Sequence, residues 1–462
     1  MTEQPDIRDD QDDEAFGITD ALLGDVLAAV DAGDEAAVDA ILDPLHPADI
    51  AHLIELIDGK KRTALLRVWQ GGVDGDVLSE LDENLREEVI DALKPAELAE
   101  AVRDLDSDDV VDLVETLEES QQEAVLDALD VSDRIAVERA LSYPEESAGR
   151  HMQSELVRAP DYWNVGEAID YLRSDDHTLP EQFYHLILVD PRMKAVGYVT
   201  LGRILANRRD VKLVDIVEDS FRTFHVAQDV EEVAQAINHY HMITAPVVDD
   251  DDRLVGVITI DDAMAFLEEE AEEDIMRLAG VVGDGSLSDR VRETAKQRFP
   301  WLAVNLVTAI FASMVISLFE ETIAGLVALA VLMPIVASMG GNAGTQSLTV
   351  AVRALATRDL TGANVWRVIR REALVGLING AIFAVVMGII GVVWFGTPML
   401  GVVIAVAMVV NMVVAGLAGT GIPIVLEKLG VDPALASGAF VTTVTDVVGF
   451  FAFLGLASAW LL

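Results

Sequence analysis

Residues 435–461, LASGAFVTTVTDVVGFFAFLGLASAWL, contain a single ionisable side chain, Asp446. A run of roughly 20 predominantly apolar residues is long enough to cross a bilayer as a helix. Asp446 falls about 11 residues into this one, near the middle of the hydrocarbon by the rise of a helix. A charge at that depth costs at least about 2.5–3.5 kcal/mol and marks a functional site by default. Thr442 and Thr443 precede it by four and three residues, so both share its helix face. Small Gly438 and Gly449 lie nearby. A carboxylate flanked by hydroxyl oxygens suits a hard cation.

Four further apolar stretches lie upstream, at about 301–319, 323–350, 373–395 and 399–426. The second carries GGNAGTQ (340–346), where Gly340-Gly341 is expected to break the span. Irregular backbone at membrane depth is tolerated where it lines a wet cavity, so Asn342, Thr345 and Gln346 are candidate pore-lining residues with Thr442 and Thr443. Asn305, Asn379 and Asn411 add polar groups to the same region. The links set the topology. Arg292, Lys296 and Arg298 precede the first span, Arg353, Arg358, Arg367, Arg370 and Arg371 lie between the second and third, and Lys428 follows the fourth. The positive-inside rule puts all of these in the cytoplasm. Glu320, Glu321 and the Thr397-Pro398 link then fall outside, as does the C-terminus.

The net charge of −47 sharpens this division. Residues 1–290 carry 23 Lys and Arg against 71 Asp and Glu, whereas residues 291–462 carry 9 against 8. An acidic water-soluble part therefore precedes a nearly neutral membrane part. Nucleic-acid binding is disfavoured, because no basic face is available to neutralise phosphates. With no cysteine in 462 residues, disulfides and thiolate metal sites are excluded. The acidic start MTEQPDIRDDQDDEA (1–15) lacks the apolar core of a signal peptide.

Residues 20–141 read as short amphipathic helices with similar starts: HPADIAHLIELI (46–57), KPAELAEAVRDL (94–105) and DSDDVVDLVETL (106–117). Pro47 and Pro95 suit the first helical position, and Ser107 an N-cap. Residues 142–262 alternate β-rich runs (183–190, 194–200, 245–249, 253–259) with helical ones. TAPVVDDDDRLVGVITIDD (244–262) resembles a CBS motif, and HLILVDPRMKAVGYVTLGR (185–203) a weaker copy. A tandem CBS pair is a regulatory module that often holds adenosine nucleotides. By that resemblance Thr259 and Asp262 are the positions that would meet phosphate and ribose, with ATP as the implied ligand. In the first copy Thr200 matches, but Arg203 stands in place of the acid. A connecting helix then carries FLEEEAEEDI (266–275), whose six acids repel one another unless cations are present.

An acidic helical region, a CBS pair, an acidic connecting helix and five spans follow in that order. The membrane part adds GGNAGTQS (340–347), RALATRDL (353–360), LGVDPALAS (429–437) and VTTVTDV (441–447). Together these resemble the MgtE family of magnesium channels and transporters, from about residue 20 to the end. The implied fold class is multidomain. It comprises an acidic tail (1–19), an all-α N-domain (20–141), an α/β tandem CBS domain (142–262), a connecting or plug helix (263–290) and a polytopic α-helical membrane domain of five helices (291–462).

The resemblance further implies a homodimer in the bilayer of a prokaryotic plasma membrane. The N-terminal domains would face the cytoplasm, and a Mg2+ pore between subunits would be gated by cytosolic Mg2+. Carried over by position, Asp446 is the pore carboxylate. The sensor acids are Asp76, Asp108 and Asp112 in the helical domain, and Asp229, Glu231 and Asp262 in the second CBS half. On the connecting helix they are Glu270, Glu273 and Asp274, and on the inner loop Asp432. His241 and Gly438 stand where the family pattern favours an acid and an Asn. No phosphate-binding loop G-x-x-x-x-G-K-[ST] and no nucleophile–base pair points to an enzyme. The rival readings are a transporter or exchanger for another divalent ion such as Co2+ or Mn2+, and a membrane-anchored CBS regulator.

Overall fold

The computed structural model describes residues 18–461 except 70, 104, 116, 118, 175–178, 181, 220 and 282–290. The expected acidic tail lies almost wholly outside the described residues, as does the C-terminal end of the expected connecting segment. The chain divides into two compact units between Glu268 and Glu269.

The N-terminal unit begins with ten short helices: α1 (Asp20–Ala32), α2 (Glu35–Leu42), α3 (Pro47–Leu56), α4 (Gly59–Val68), α5 (Gly75–Ser79), α6 (Glu83–Ala92), α7 (Pro95–Ala101), α8 (Ser107–Glu115), α9 (Glu119–Ala128) and α10 (Val131–Ala140). Much of the acidity does structural work here. Asp34, Asp58 and Asp74 accept hydrogen bonds from the first free N–H groups of α2, α4 and α5, a capping interaction typically contributing about 1 kcal/mol. Gly33 ends α1 in the left-handed region, φ 65°, where a Cβ would be strained. One apolar core runs through all these helices, with Val26, Leu42, Leu53, Leu65, Leu78, Val102, Leu113 and Val125 essentially inaccessible. Pro47 and Pro95 occupy first helical positions as expected. Ser107 instead opens α8 itself, and its hydroxyl leaves the helix end to donate to Glu155 Oε2 at 2.8 Å.

Two copies of one β–α–β–β unit follow. The first is β1 (Arg158–Pro160), α11 (Val165–Leu172), β2 (His185–Val189) and β3 (Ala195–Thr200), succeeded by α12 (Leu201–Ala206). The second is β4 (Phe224–His225), α13 (Val230–Tyr240), β5 (Thr244–Val248) and β6 (Leu254–Thr259), succeeded by α14 (Ile260–Ala279). In each sheet the outer strand pairs parallel to the middle one and the last pairs antiparallel. Both sheets shift register at equivalent places, Leu188/Val189 and Val247/Val248, so the sequence repeat is a structural repeat down to its bulge. The Met193 carbonyl accepts the Leu254 N–H at 2.9 Å, and Ile187, Val189, Leu254 and Val257 form a shared apolar seam between the copies.

The membrane unit holds the end of α14, then α15 (Val291–Ser317), α16 (Glu320–Gly325), α17 (Ala328–Ala356), α18 (Val365–Phe395), α19 (Pro398–Lys428) and α20 (Pro433–Trp460). Five of these helices are long and apolar enough to cross a membrane. They exceed the expected spans mainly at their polar ends, where the helix continues past the apolar run. The second span also differs. Residues 320–325 form the separate helix α16, and α17 runs unbroken through Gly340-Gly341. Gly340 and Gly344 serve close packing rather than a break, while Gly341 faces open space. A Cβ on Gly340 would strike the Asn411 amide of α19, one on Gly344 would lie 2.6 Å from Val441 of α20, and one on Gly419 of α19 would collide with the Gly344 carbonyl. Small residues of this kind let helix backbones approach where lipid offers no hydrophobic drive.

Candidate ion pathway and carboxylate sites

Asp446 lies half-buried on α20. Its neighbour Thr445 is fully buried against the Gly344 seam of α17, which fixes the rotation of α20. Among the described residues no ion pair or hydrogen bond reaches the Asp446 carboxylate. The nearby hydroxyl protons are spent on their own helix: Thr442 Oγ1 donates to the Gly438 carbonyl at 2.9 Å and Thr443 Oγ1 to the Ala439 carbonyl at 2.6 Å. Their oxygens keep lone pairs for a cation or its water. On α17, Asn342, Thr345 and Gln346 are exposed on the surface of the single chain, away from the packed seam. Thr345 Oγ1 likewise donates to its own helix, at the Gly341 carbonyl, 3.0 Å.

Two buried polar groups stand out from the sequence reading. Asn411, wholly inaccessible on α19, donates Nδ2 to the Val336 carbonyl of α17 at 2.8 Å, and its Oδ1 has no partner among the described residues. The amide also fills the space beside Gly449 of α20, so one side chain links three helices. Glu372 on α18 is 8% exposed. It takes a hydrogen bond from Ser347 Oγ at 3.0 Å and pairs with Arg371 at 3.0 Å. Following two arginines at a membrane boundary, an acid attracts no notice in sequence; only the packing reveals that Glu372 turns inward.

In the N-terminal unit, Asp106, just before α8, and Asp108 and Asp109 in its first turn come near Asp262 at the start of α14, with Asp76 and Glu155 close by. Loss of hydration, then repulsion from Glu155, pushes Asp106 up to about 6. Loss of hydration, then Asp262 and Asp106, pushes Asp109 to about 7. Asp108 is raised well above the usual carboxylate range by burial, and then by Asp262, Asp109 and Asp106. Burial raises Asp262 too, against a stabilising 2.5 Å hydrogen bond from Thr259 Oγ1. Among the described residues no Lys or Arg forms an ion pair with Asp106, Asp108, Asp109 or Asp262, and no three carboxylate or imidazole groups converge into a ready metal cage. The region is a loosely spaced acidic field.

The other expected sensor acids are placed differently. Asp112 is ion-paired with Arg86 at 2.5 Å. Asp229 caps α13 by accepting the Glu231 N–H at 2.9 Å, and Glu231 holds Gln235 Nε2 at 2.6 Å. In the membrane unit, Glu273 and Asp432 both bind the Arg277 guanidinium. Asp274 beside them is raised by burial and then by the Asp432 charge, with Arg277 opposing. Glu270 lies half-buried one turn before Asp274. Asp106, Asp109 and Glu155 escaped the sequence reading, although DSDD (106–109) carried the signal.

The CBS pattern residues Thr259 and Asp262 bond each other, so Asp262 belongs both to that pattern and to the acidic field. In the first copy Arg203 pairs with Glu218 at 2.7 Å, a structural use of the departing residue.

Three family models match the chain. One described as a divalent cation transporter covers residues 333–456, one described as the MgtE intracellular N domain covers 45–146, and a CBS domain model covers 213–269. A magnesium transporter MgtE of Thermus thermophilus is 32% identical over 439 residues, 93% of this chain and 96% of that protein. One of Bacillus subtilis is 30% identical over 422 residues, 91% and 93% respectively. Among solved structures, the cytosolic domain of the Mg2+ channel MgtE in complex with ATP is 27% identical, with 53% of this chain and 99% of that chain covered and a TM-score of 0.49.

Proposed function

The chain belongs to the MgtE family, and from that premise we propose that it conducts Mg2+ passively into a prokaryotic cell through a pore built around Asp446. The observation that carries this reading is Asp446 itself. It is the only ionisable group in α20, half-buried and without an ion-pair partner among the described residues. Mg2+ sheds water reluctantly and is usually held, with several waters, by one or two carboxylates. Two copies of Asp446 on the axis of a homodimer hold such a hydrated ion weakly enough to release it. The exposed polar face of α17, with Asn342, Thr345 and Gln346, completes the lining. No chemical energy source is needed. A divalent ion entering a negative cell gains roughly 4.6 kcal/mol per 100 mV, at about 2.3 kcal/mol per charge. The N-terminus lies in the cytoplasm and the C-terminus outside.

Gating follows from the acidic field. With few divalent ions, the carboxylates around Asp108, Asp109 and Asp262 repel one another and favour separation. Bound Mg2+ relieves that repulsion and shifts the population toward the compact, closed state. Asp76, Asp106 and Glu155 are further acids whose charges act on this field. The Thr259–Asp262 pair is the place where ATP would meet the same region.

Ion flux into reconstituted vesicles tests the pore. The parent protein should admit Mg2+ with no counter-ion gradient, and competition by Co2+ and Mn2+ measures selectivity. Asp446→Ala should abolish uptake while leaving the protein monodisperse and helical. Normal uptake by that variant would falsify the pore assignment.

A further inference from the structure

The connecting helix and the inner loop carry Glu270, Glu273, Asp274 and Asp432, positions the resemblance marks as sensor acids, but the chain also supplies a cation there. Arg277, in the last turn of α14, ion-pairs with Glu273 one turn earlier and donates Nη1 to Asp432 Oδ2 at 2.7 Å. The other Asp432 oxygen, Oδ1, accepts the Ala434 N–H at 2.7 Å and so caps α20. Asp432 thus has one oxygen committed to the helix start and one to Arg277. A guanidinium is always charged and presents several donors in a fixed plane, which lets it serve two carboxylates at once.

The residues that follow seat the same helix end. Leu278 packs on the cluster of Leu348, Val352, Ala434 and Val441, contributed by α17 and α20. Its carbonyl oxygen lies 3.9 Å from where a Gly438 side chain would begin. Gly280, at φ +79°, leaves room that the Trp301 indole of α15 fills. The apolar contacts supply adhesion, and the Arg277–Asp432 pair sets register and offsets part of the repulsion between Glu273 and Asp432.

We propose that Arg277 is a built-in cation that pins the end of α14 to the cytoplasmic end of α20, doing at this junction, without metal, what a divalent ion would otherwise do. The pin holds in the absence of divalent ions. The consequence for flux rests on the gating reading above; the pin itself does not.

The chain has no cysteine, so a single introduced thiol reports without background. Leu278→Cys, in the full-length protein in detergent with chelator present, should react slowly with a maleimide. Adding Arg277→Gln should raise the labelling rate by about tenfold or more, the worth of a lost charge-assisted hydrogen bond. Arg277→Lys, which keeps the charge but not the planar fork, should recover part of the slow labelling. Ala434→Cys, buried beneath Leu278, is a second reporter that leaves the leucine in place and should respond in the same order. Equal rates for the parent and Arg277→Gln backgrounds at both reporters overturn the proposal. So does an Arg277→Lys background that labels as fast as Arg277→Gln. Because every rate is read in chelator, the outcome is independent of Mg2+ gating. If magnesium fails to protect the N-terminal unit from protease while labelling follows Arg277, the gating reading falls and the pin stands.

Discussion

The acidic field of the N-terminal unit and the junction at the end of α14 begin with the same chemistry and finish differently. Each crowds carboxylates from separated parts of the chain. Around α8, Asp106, Asp108, Asp109 and Asp262 meet with no Lys or Arg ion-paired to them among the described residues, and their proton affinities rise. At the junction, Glu273 and Asp432 meet around Arg277, which offsets one of their two charges. The count of acids does not decide whether a cluster is open to a metal ion. The presence of a tethered cation does. A net charge of −47 therefore overstates the sensing surface, since other acids are spent as helix caps or as partners of Arg86 and Arg277.

The widest gap between the two regions should appear in their response to magnesium. Asp108→Asn with Asp262→Asn removes two of the mutually repelling charges. In chelator the N-terminal unit of that variant should resist protease better than the parent, because repulsion has been relieved. It should also need about tenfold more Mg2+ for half-maximal further protection, the order expected when about 1.4 kcal/mol of ion affinity is lost. Glu273→Gln, changed at the compensated junction, should leave the same magnesium midpoint in place. A midpoint moved as far by Glu273→Gln as by the double variant breaks the distinction.

Much of this was legible in the sequence, because the decisive signals are local. Five apolar runs, the basic residues between them and the intramembrane Asp446 need no tertiary information. The repeat of β-rich runs gave strand positions to within a residue or two, since strand periodicity and flanking turns are themselves local. Most of the misreadings concern partners. Gly340 reads equally as part of a break or of a packing seam, and only Asn411 opposite it decides. Ser107 has the right identity for an N-cap, but its Oγ accepts the Ser154 N–H and donates to Glu155, 48 residues away. Arg277 stands alone behind six acids in the chain, and nothing nearby in sequence announces Asp432. Glu372 is disguised by its arginine neighbours.

Glu372 provides a third version of the comparison, a carboxylate shielded by burial, one guanidinium and one hydroxyl. Ser347→Ala removes the hydroxyl and leaves Glu372 Oε2 short of a donor at a site 8% exposed. The loss should amount to about 1–2 kcal/mol, as for a hydrogen bond to a charged group, read as earlier unfolding of the membrane unit in denaturant. Ser347→Thr, which keeps the hydroxyl, should recover part of it. Unchanged stability in Ser347→Ala would mean that Arg371 alone compensates Glu372, which would bring it closer to the junction than to the field.

Proton binding gives the smallest effect and the finest test of the field. The ordinary Asp value is 3.8, whereas Asp106 and Asp109 rise to about 6 and about 7 in the folded protein. Between about pH 8 and pH 5 the folded state therefore takes up protons that the unfolded chain does not. Stability in chelator should rise as pH falls through this window, and the gain should end near pH 4, where the unfolded chain protonates as well. These groups are partly exposed, so screening keeps the shift to a few degrees in the unfolding midpoint of the full-length protein. Magnesium competes with those protons for the same oxygens. It should raise the midpoint more at pH 8 than at pH 6, and in Asp108→Asn with Asp262→Asn the two increments should converge. An increment independent of pH would place the bound ion away from α8, on acids whose proton affinity is ordinary.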